Sequence, residues 1–482
     1  MNKVKLGFLP LYIKLYDDHE PYMRERIEAF YAKVAGIARG LGIDVITAPV
    51  CRRKEEFADA MRAFEDGGAE GLLTLHLAYS PSLESIDAIC GSRLPILVLD
   101  VTETFEFGPG QLASEISYNH GIHGVQDLCC MLTRRGMAYD IVAGHYESRR
   151  VADKIVSWSK AVRGVAEFKS ARAGIIGKPF VGMGDFQMPF DAPANKFGIK
   201  VVEYDAAAAR RDYESLGSAD IQAELSNLKD AFDCSGVGDG DSGDGGACDC
   251  GCDCGGSGGG MLTKTARTNI VINRWIEREK LVAFTANFLD VRKGIGLDMM
   301  PFTAASMAMS RGIGYAGEGD VLTAVLNRAL ASAYGKVSFT EMFCPDWKDG
   351  GIYLNHMGEM NIALTAGKPR LMQRPLIYSD IGDCTAPAGL FMPGKAQIVN
   401  LAPSGDGCFS LIICKGEMLA VEGEDNMAHT VHGWFKPEKS LDIFLEEYSR
   451  HGGTHHSALV YGDLADSLAC FGKLLGCSVF TI

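Results

Sequence analysis

Short apolar runs alternate with longer amphipathic stretches over the first 150 residues of the chain. The apolar runs predict buried strands, and the amphipathic stretches between them predict helices. The predicted strands are 4–11, 44–47, 71–77 and 95–99, and the predicted helices are 21–41, 54–66 and 81–90. Apolar strands that alternate with helices are typical of a parallel sheet covered on both faces. We therefore predict a doubly wound α/β domain over residues 1–165.

The same alternation restarts near Ser170. Strand-like runs at 173–176 and 199–204 flank a glycine-rich turn, and a helix-like run follows at 220–232. This order of apolar and amphipathic segments again predicts a parallel sheet with helices on its faces. We predict a second doubly wound parallel-sheet domain over residues 166–336.

From about Val337 the pattern changes to short strand-like runs between glycine and proline turns, with few long helices. Residues 396–402, 409–415 and 417–421 are examples of such runs. Many short strands at this spacing are typical of sandwiches and barrels. We predict a β-rich, barrel-like C-terminal domain over residues 337–482.

Residues 233–260 fit none of these patterns, because they consist almost wholly of Gly, Asp, Ser and Cys. A segment with so few apolar side chains has little to offset the entropy lost on ordering, so we predict a disordered surface insertion. It contains a Cys-x-Cys run formed by Cys248, Cys250, Cys252 and Cys254. Zinc sites generally place about two to four residues between cysteines. Two interpretations stay open, namely adventitious or no metal binding and a regulatory or storage role.

The net charge and the hydropathy pattern argue against nucleic-acid-binding and membrane proteins. The 482 residues carry a formal net charge of -14, which argues against a nucleic-acid partner because that affinity depends largely on cations that meet phosphates. The first residues show no long apolar signal region, and no later run has about 18 uninterrupted apolar residues. We therefore expect no membrane partner and a cytoplasmic location. Most of the 15 cysteines lie singly or as a lone pair in core-like runs, where a free thiol acts as a small hydrophobe.

Four residues of the second half carry the candidate chemistry: Glu318, Glu341, His356 and His456. Each lies in a short segment bounded by glycine or by a turn rather than on a charged helix face. Two carboxylates and two imidazoles are a typical ligand set for Mn²⁺ or a related divalent ion. Glu341 also follows a strand-like run, where an inward carboxylate is costly unless it is paired or bound to a metal. The alternatives are a simple turn carboxylate at Glu318 and a satisfied core histidine at His356.

Other catalytic motifs are weak or absent. Gly312, Gly314 and Gly317 match the spacing of a dinucleotide fingerprint, but the small, methionine-rich run at 303–310 does not predict the strand that this fingerprint needs. The sequence contains no phosphate-binding P-loop, no His-Glu-x-x-His helix and no Gly-x-Ser-x-Gly elbow. Phosphoryl transfer, zincin proteolysis and serine hydrolysis therefore have little support.

Three residues of the first domain, Tyr12, His19 and His76, lie at or just beyond the ends of predicted strands. Ligands of doubly wound sheets bind outside the carboxyl ends of the strands. These residues are therefore candidates for contact with a ligand. The alternative is that they are loop residues without one.

Six short segments, taken together, carry a family resemblance. They are Asn-His-Gly-Ile-His-Gly at 119–124, Gly-Tyr-Ala-Gly-Glu-Gly-Asp at 314–320, Ser-Phe-Thr-Glu at 338–341, Asn-His-Met at 355–357, Gly-Trp-Phe-Lys-Pro at 433–437 and Gly-Gly-Thr-His-His at 452–456. In order and wording they resemble the L-arabinose isomerase family, within the wider L-arabinose/L-fucose isomerase group. The resemblance spans the chain apart from the insertion. It implies three domains, a homotrimer or homohexamer, and Mn²⁺ or another divalent cation held by Glu318, Glu341, His356 and His456.

The resemblance implies a metal-dependent aldose-ketose isomerase that acts on an unphosphorylated, L-arabinose-like pentose or hexose through an enediol. In this interpretation Glu318 and Glu341 act as base and acid, and the ion stabilises the developing oxyanion. His123 and Tyr12 are the expected contacts to the sugar. Two alternatives stay open: a metal-dependent hydrolase or lyase acting on a sugar derivative, and a catalytically silent sugar-binding paralogue.

The chain departs from the family pattern in two segments expected to contact sugar hydroxyls. Arabinose-active members place a Gln-His pair after the first strand, where this chain has Gly-Phe-Leu-Pro-Leu-Tyr at 7–12. The aromatic-rich run after the second glutamate is replaced by Met-Phe-Cys-Pro-Asp-Trp at 342–347. The metal chemistry therefore carries over better than the identity of the substrate.

Overall fold

Five parallel strands form the sheet of the first part of the chain in the computed structural model. The strands are β1 (Lys5–Leu11), β2 (Asp44–Thr47), β3 (Gly71–His76), β4 (Ile96–Thr102) and β5 (Asp140–His145). Their order is β2-β1-β3-β4-β5, and each neighbouring pair is parallel. All six residues of the central strand β3 are buried, as expected for a strand covered on both faces.

Helices alternate with these strands, as predicted. They are α1 (Lys14–His19), α2 (Arg24–Gly40), α3 (Lys54–Asp66), α4 (Ser82–Gly91), α5 (Ile116–Asn119), α6 (Gly121–Arg134) and α7 (Arg149–Lys169). Apolar side chains of β1, β3, α3, α4 and α6 share one buried cluster. The predicted doubly wound architecture of this part is confirmed.

The structure describes residues 3–185, 195–237 and 260–482. The chain divides into two compact units, Met1–Ala166 and Glu167–Ile482. Most of the predicted insertion, including its Cys-x-Cys run, lies outside the described residues. The expected boundary at residue 336 falls within the second unit, so the division into three domains stays a prediction.

A second parallel sheet begins the second unit. Its strands are β6 (Arg172–Ile176), β7 (Lys200–Glu203), β8 (Ala283–Ala286) and β9 (Gly314–Gly317), in the order β7-β6-β8-β9. Its helices are α8 (Ala206–Glu214), α9 (Ser218–Ala231), α10 (Met261–Glu279), α11 (Phe302–Ser310) and α12 (Val321–Tyr334). The glycine-rich run that matched a dinucleotide fingerprint forms β9 itself and follows a helix, so it lacks the structural context of that fingerprint.

Antiparallel strands dominate the last part of the second unit. The strands are β10 (Val337–Asp346), β11 (Gly351–Asn355), β12 (Arg370–Arg374), β13 (Cys384–Leu390), β14 (Gly394–Pro403), β15 (Phe409–Met418), β16 (Val431–Pro437), β17 (His456–Tyr461) and β18 (Ser478–Thr481). Two helices accompany them, α13 (Leu441–Arg450) and α14 (Ala465–Leu474). The order β16-β11-β10-β17-β14-β15 closes on itself, because β15 also pairs with β16. The predicted barrel is confirmed.

One strand boundary was wrong. The glycine at 416 suggested a break between two short strands, but β15 runs without interruption from Phe409 to Met418. A Cβ atom at Gly416 would lie 2.3 Å from the carbonyl oxygen of Lys436 and 2.5 Å from the ring of Phe435. The glycine therefore permits the close approach of β16 that closes the barrel, rather than ending the strand.

None of the helices in the described ranges is both long enough and apolar enough to cross a membrane.

Histidine 76, at the carboxyl end of β3, is buried in the first unit with only 3% of its surface exposed. Within the described residues neither of its ring nitrogens has a hydrogen-bond partner. Helix α6 packs closely on the ring, since a Cβ atom at Gly124 would lie 2.3 Å from His76 Cδ2. Burial lowers the pKa of His76 to about 3, although the charge of Asp127 opposes the shift. The contact with a ligand that the sequence suggested for His76 stays a prediction.

We predict that His76 makes the protein sensitive to acid. An unfolded histidine has a pKa of about 6.5, whereas folded His76 stays neutral down to a pKa of about 3. Below about pH 6.5 the unfolded state therefore binds one more proton than the folded state. The free energy of unfolding consequently decreases as the pH is lowered. Between about pH 7.5 and about pH 5 the loss is about 2 kcal/mol. Urea unfolding of wild type and His76→Leu at both pH values measures it.

The variant should lose less stability over this interval than wild type, and the exposed His19→Leu is the matched control. Equal losses in wild type and His76→Leu would show that His76 does not cause the acid sensitivity.

Candidate metal centre

Glu318 lies in a tight turn between β9 and α12. Its φ angle is 59°, in the left-handed region that non-glycine residues rarely adopt. Hydrogen bonds hold the turn on both sides: the Glu318 amide donates to Ala286 O at 3.0 Å, and the Phe180 amide donates to Glu318 O at 2.9 Å. The next residue, Gly319, has a φ of 85°, and a Cβ atom there would lie 2.6 Å from Pro179 Cα. Strained residues that are held in this way are frequent at functional sites.

Strand pairing in the barrel brings the other predicted ligands together. Glu341 on β10 lies directly opposite His456, the first residue of β17. On its other side Glu341 lies opposite Asn355, the last residue of β11, which His356 follows. Directly opposed residues of antiparallel strands project from the same face. The register of three neighbouring strands therefore places Glu341, His356 and His456 close to one another.

The five acidic and imidazole side chains at this point form one cluster. Glu341 Oε2 is 3.9 Å from His356 Nε2. Glu318 Oε2 is 4.0 Å from His456 Nε2 and 3.8 Å from His455 Nε2. Two overlapping triplets, Glu318-His455-His456 and Glu341-His356-His456, have ligand atoms within 4.8 Å of one another. The structure thus brings together all four candidate ligands and adds His455, which the sequence did not single out.

A carboxylate holds Nδ1 of each histidine. The pairs are His356 with Glu359 at 2.6 Å, His456 with Asp320 at 3.1 Å, and His455 with Asp185. Such a bond fixes the tautomer and the orientation of the ring, and in metal sites it leaves Nε2 for the ion. In this cluster Nε2 of all three rings is the atom nearest to the glutamates.

The supporting carboxylates are themselves held. Glu359 is 1% exposed and accepts a hydrogen bond from Tyr315 Oη at 2.8 Å. Asp320, also 1% exposed, accepts the amide of Thr323 and so caps α12. The ring of Phe339 lies 4.7 Å from the ring of His356 and 5.0 Å from that of His456, edge-on to both. The rings therefore have little freedom to turn.

Sequence reasoning missed these supporting residues to different degrees. Asp320 stands in the quoted Gly-Glu-Gly-Asp segment, and Glu359 follows His356 by three residues, so a search for acids close to each histidine would have found both. Asp185 is 270 residues from His455 and has no local signal. Its contact depends on the fold alone.

Burial and charge push the two glutamates in opposite directions. Burial raises the pKa of Glu318, but the nearby His455 and the charges of the other histidines outweigh it, so the pKa is lowered. Burial also raises the pKa of Glu341, and there the histidines do not offset it. Two carboxyl groups of unlike pKa are the arrangement that acid-base chemistry uses.

Histidine 455 binds a proton strongly. Burial alone would lower its pKa, but the hydrogen bond with Asp185 and the nearby carboxylate of Glu318 raise it to about 10. Burial would raise the pKa of Asp185, whereas the bonds from His455 lower it to about 2. This pair is therefore an ion pair at neutral pH.

The residues present fit a divalent cation. Carboxylate oxygens and imidazole nitrogens are ligands that suit Mn²⁺ and related ions, and both types converge here. Gly317 allows the His356 ring to pack directly against the backbone, because a Cβ atom there would lie 2.7 Å from His356 Cε1 and 3.1 Å from its Nε2. Glu318, Glu341, His356 and His456 are the residues that could hold the ion, whereas His455, protonated beside Asp185, has no lone pair to offer it.

The two predicted sugar contacts, Tyr12 and His123, belong to the first unit. Tyr12 is fully buried, and its ring packs edge-on against the ring of Tyr16. The guanidinium of Arg24 lies over the Tyr12 ring, 5.9 Å from its centroid. His123 is exposed in the first turn of α6, and its ring stacks on that of His120 at 5.6 Å. Both assignments stay predictions.

Comparison with known proteins gives a consistent result along the chain. Residues 24–170, 251–334 and 336–478 match the family models of the L-arabinose isomerase N-terminal, central and C-terminal domains, respectively. An L-arabinose isomerase from Shouchella clausii is 24% identical over 460 residues, which cover 94% of this chain and 89% of that protein. Those from Geobacillus thermodenitrificans and a Nocardioides species are 25% and 26% identical, and each alignment covers 90% of this chain and 85% of the relative.

We predict that Glu359→Gln weakens the binding of Mn²⁺ about 10-fold to about 100-fold, the usual effect of losing a carboxylate behind a metal-bound histidine. The substitution keeps the shape of the side chain but removes the charge that orients His356. Calorimetric titration of Mn²⁺ into metal-free protein measures the affinity.

Tyr315→Phe is the matched control, because it leaves the Glu359 carboxylate in place and removes only one of its hydrogen bonds. Its effect should be smaller. An unchanged affinity in Glu359→Gln would remove His356 from the metal site.

Proposed function

We propose that this chain, which belongs to the L-arabinose isomerase family, is a metal-dependent enzyme that interconverts an unphosphorylated aldose and its ketose through an enediol. Its membership makes it a sugar isomerase, an intramolecular oxidoreductase. One observation supports the metal dependence, namely that Glu318, Glu341, His356 and His456 fall in two ligand triplets that share His456. An L-arabinose-like pentose or hexose is the proposed substrate.

Mn²⁺ or another divalent cation is the proposed cofactor. When bound, such an ion acts as a Lewis acid that stabilises negative charge on the oxygens at C1 and C2 of the open-chain sugar. The chain supplies two anionic ligands, Glu318 and Glu341, which offset the charge of the ion. His356 and His456 supply neutral nitrogens whose direction is set by Glu359 and Asp320.

The two glutamates are the proposed acid-base pair. In the aldose-to-ketose direction a base takes the proton from C2 while the oxygen at C1 gains one, which forms the enediol. The ketose then forms when C1 gains a proton and the oxygen at C2 loses one. The opposite pKa directions of Glu318, which is lowered, and Glu341, which is raised, support unlike roles for the two carboxyl groups. In the reverse reaction the two exchange roles.

The alternatives left open by the sequence have less support. Hydrolysis or a lyase reaction would set this chain apart from the isomerase family to which it belongs. A silent sugar-binding paralogue has no need of the carboxylates that orient all three histidines. A cytoplasmic location and a homotrimer or homohexamer are part of the proposal.

We predict that Mn²⁺-loaded protein interconverts at least one aldose-ketose pair in a panel that includes L-arabinose, D-galactose and their ketoses. Glu318→Gln and Glu341→Gln should each lower turnover by about 100-fold or more, the lower end of what a positioned acid or base contributes. Product analysis by chromatography, with mass unchanged, measures the reaction. Glu438→Gln, which removes a carboxylate from the surface pair with Lys415, is the control.

Wild-type turnover in either glutamine variant would exclude that residue from the mechanism. Full activity after removal of all divalent ions by a chelator would exclude the metal. If neither the neutral sugars of the panel nor the corresponding sugar acids react, the isomerase proposal fails and the silent paralogue is favoured.

We also propose that His123 contacts an oxygen of the sugar and that it reaches the site either from the same chain or from a neighbouring copy. In a closed ring of copies a contribution from the neighbour is made equally in every site. We predict that His123→Ala and Glu318→Gln are each inactive alone. Mixed oligomers of the two should regain part of the activity, measured by isomerisation after subunit exchange. Verified mixed oligomers without activity would exclude a shared site.

A further inference from the structure

A cavity of about 380 Å³ adjoins the loop that carries His356. Met357, which directly follows His356, lines the cavity and is 39% exposed. Phe302 lines it from the start of α11, and a Cβ atom at Gly358 would lie 3.5 Å from its ring. The cavity is therefore lined by the residue that follows a candidate metal ligand in the chain. Its volume lies in the range of sites for small molecules.

Buried apolar side chains form the floor of this cavity, and polar groups stand at its rim. Phe302 and Leu376 are buried in the floor. Cys384 is buried there too, and burial raises the pKa of its thiol to about 12, so it stays neutral. Arg374 and His429 supply the cationic and polar atoms. A floor that is mostly apolar, with few polar groups at fixed positions, is typical of a ligand site.

Arg374 is available to an anion. It is the last residue of β12, directly opposite Cys384 of β13, so its position is set by the sheet. One of its nitrogens, Nη2, donates to the carbonyl oxygen of His429. In the part of the chain that the structure describes, no carboxylate lies within 4.0 Å of the guanidinium, and no acidic residue lines the cavity. An acid-free cavity with an arginine at its rim stands out in a chain of net charge -14.

We propose that Arg374 binds a carboxylate at the end of the substrate remote from the carbonyl carbon, so that the preferred substrate is a sugar acid of the hexuronate class. This rests on the proposed function, which puts the reacting carbons at the cluster beside His356. The planar guanidinium fork matches a carboxylate and can bind it with two parallel hydrogen bonds.

A carboxylate suits the cavity better than a phosphate does. Arg374 is its one permanently charged lining residue among those described, and a carboxylate carries one negative charge. A phosphate monoester carries about 1.5 to 2 charges near neutral pH, and its binding sites usually offer several donors or cations. Besides Arg374, the polar lining consists of Gln373, His429 and the neutral thiol of Cys384, and none of these is a permanent cation.

Three sugars make a matched test. L-Arabinose, D-galactose and D-galacturonate have the same configuration at C2, C3 and C4. They differ only at C5, which carries a second hydrogen in L-arabinose, a CH2OH group in D-galactose and a carboxylate in D-galacturonate. The kcat/KM of the Mn²⁺-loaded enzyme for D-galacturonate should exceed that for the two neutral sugars by about 10-fold or more, the gain from one charged hydrogen-bonded pair. D-Galactose 6-phosphate is the fourth substrate and separates the two anions.

Arg374→Gln should lower kcat/KM for D-galacturonate by about 10-fold to about 100-fold and change that for L-arabinose by less than about 2-fold. Arg374→Lys keeps the charge but not the planar fork of the guanidinium. Its kcat/KM for D-galacturonate should therefore lie between the values for wild type and Arg374→Gln. Arg370→Gln on the same strand is the matched control, because Arg370 does not line the cavity. Melting temperatures of all variants separate loss of binding from loss of fold.

Binding is also measured without turnover. L-Galactonate and galactitol, the products of reducing C1 of D-galacturonate and D-galactose, cannot isomerise and differ only in the carboxylate. Calorimetry should show tighter binding of L-galactonate to wild type and no preference in Arg374→Gln.

Each outcome decides one proposal. If no sugar is isomerised but L-galactonate binding depends on Arg374, the proposed function fails and the anion site stands. If neutral sugars react and Arg374→Gln affects neutral and acidic sugars alike, the function stands and this inference is overturned. A preference for the phosphorylated sugar over D-galacturonate would overturn the assignment of a carboxylate.

Discussion

The pairing of each imidazole with its own carboxylate is the constraint on which the centre depends. A histidine ring buried among strands can turn about two bonds, and only one of its orientations directs Nε2 at the glutamates. Hydrogen bonds from Nδ1 to Glu359, Asp320 and Asp185 select that orientation. Asp320 serves twice, because it also caps α12. One side chain thus sets both the start of that helix and the direction of His456. The turn that carries Glu318 directly precedes the helix.

Such an arrangement is costly for the fold. Burying a carboxylate removes its hydration, and an ion pair in the interior returns this free energy only when its geometry is good, so buried pairs often add little stability. Glu359 and Asp320 are each 1% exposed, and apolar residues of similar volume would fill the same space. A left-handed Glu318 adds backbone strain. The concentration of these costs at one point supports the proposal that the point serves chemistry rather than stability.

The sequence predicted most of the fold because its signals are local. Both parallel sheets and the barrel follow from runs of apolar residues and from turn residues, and the helices at 54–66 and near 81–90 match the structure closely. The strand boundary at Gly416 was predicted wrongly because a glycine in a strand indicates either a turn or a close neighbour. Only the packing of β16 against Gly416 distinguishes the two. The four candidate ligands were found from short motifs. Asp185 was not, since its partner is defined by tertiary contact alone.

The coupling between buried side chains also distinguishes the properties that this chain shares with its family from those in which it can differ. The residues that would hold and orient the proposed metal form one coupled set, because the loss of any member leaves a buried charge or ring without its partner. Side chains at the rim of a cavity have no such coupling. Arg374 can be replaced without disturbing His356 or Glu359, because it shares no hydrogen bond with them in the described structure. A chain that keeps the reaction of its family can therefore change its substrate at this rim. The departures at 7–12 and 342–347 are consistent with such a change, since they too leave the four ligands untouched.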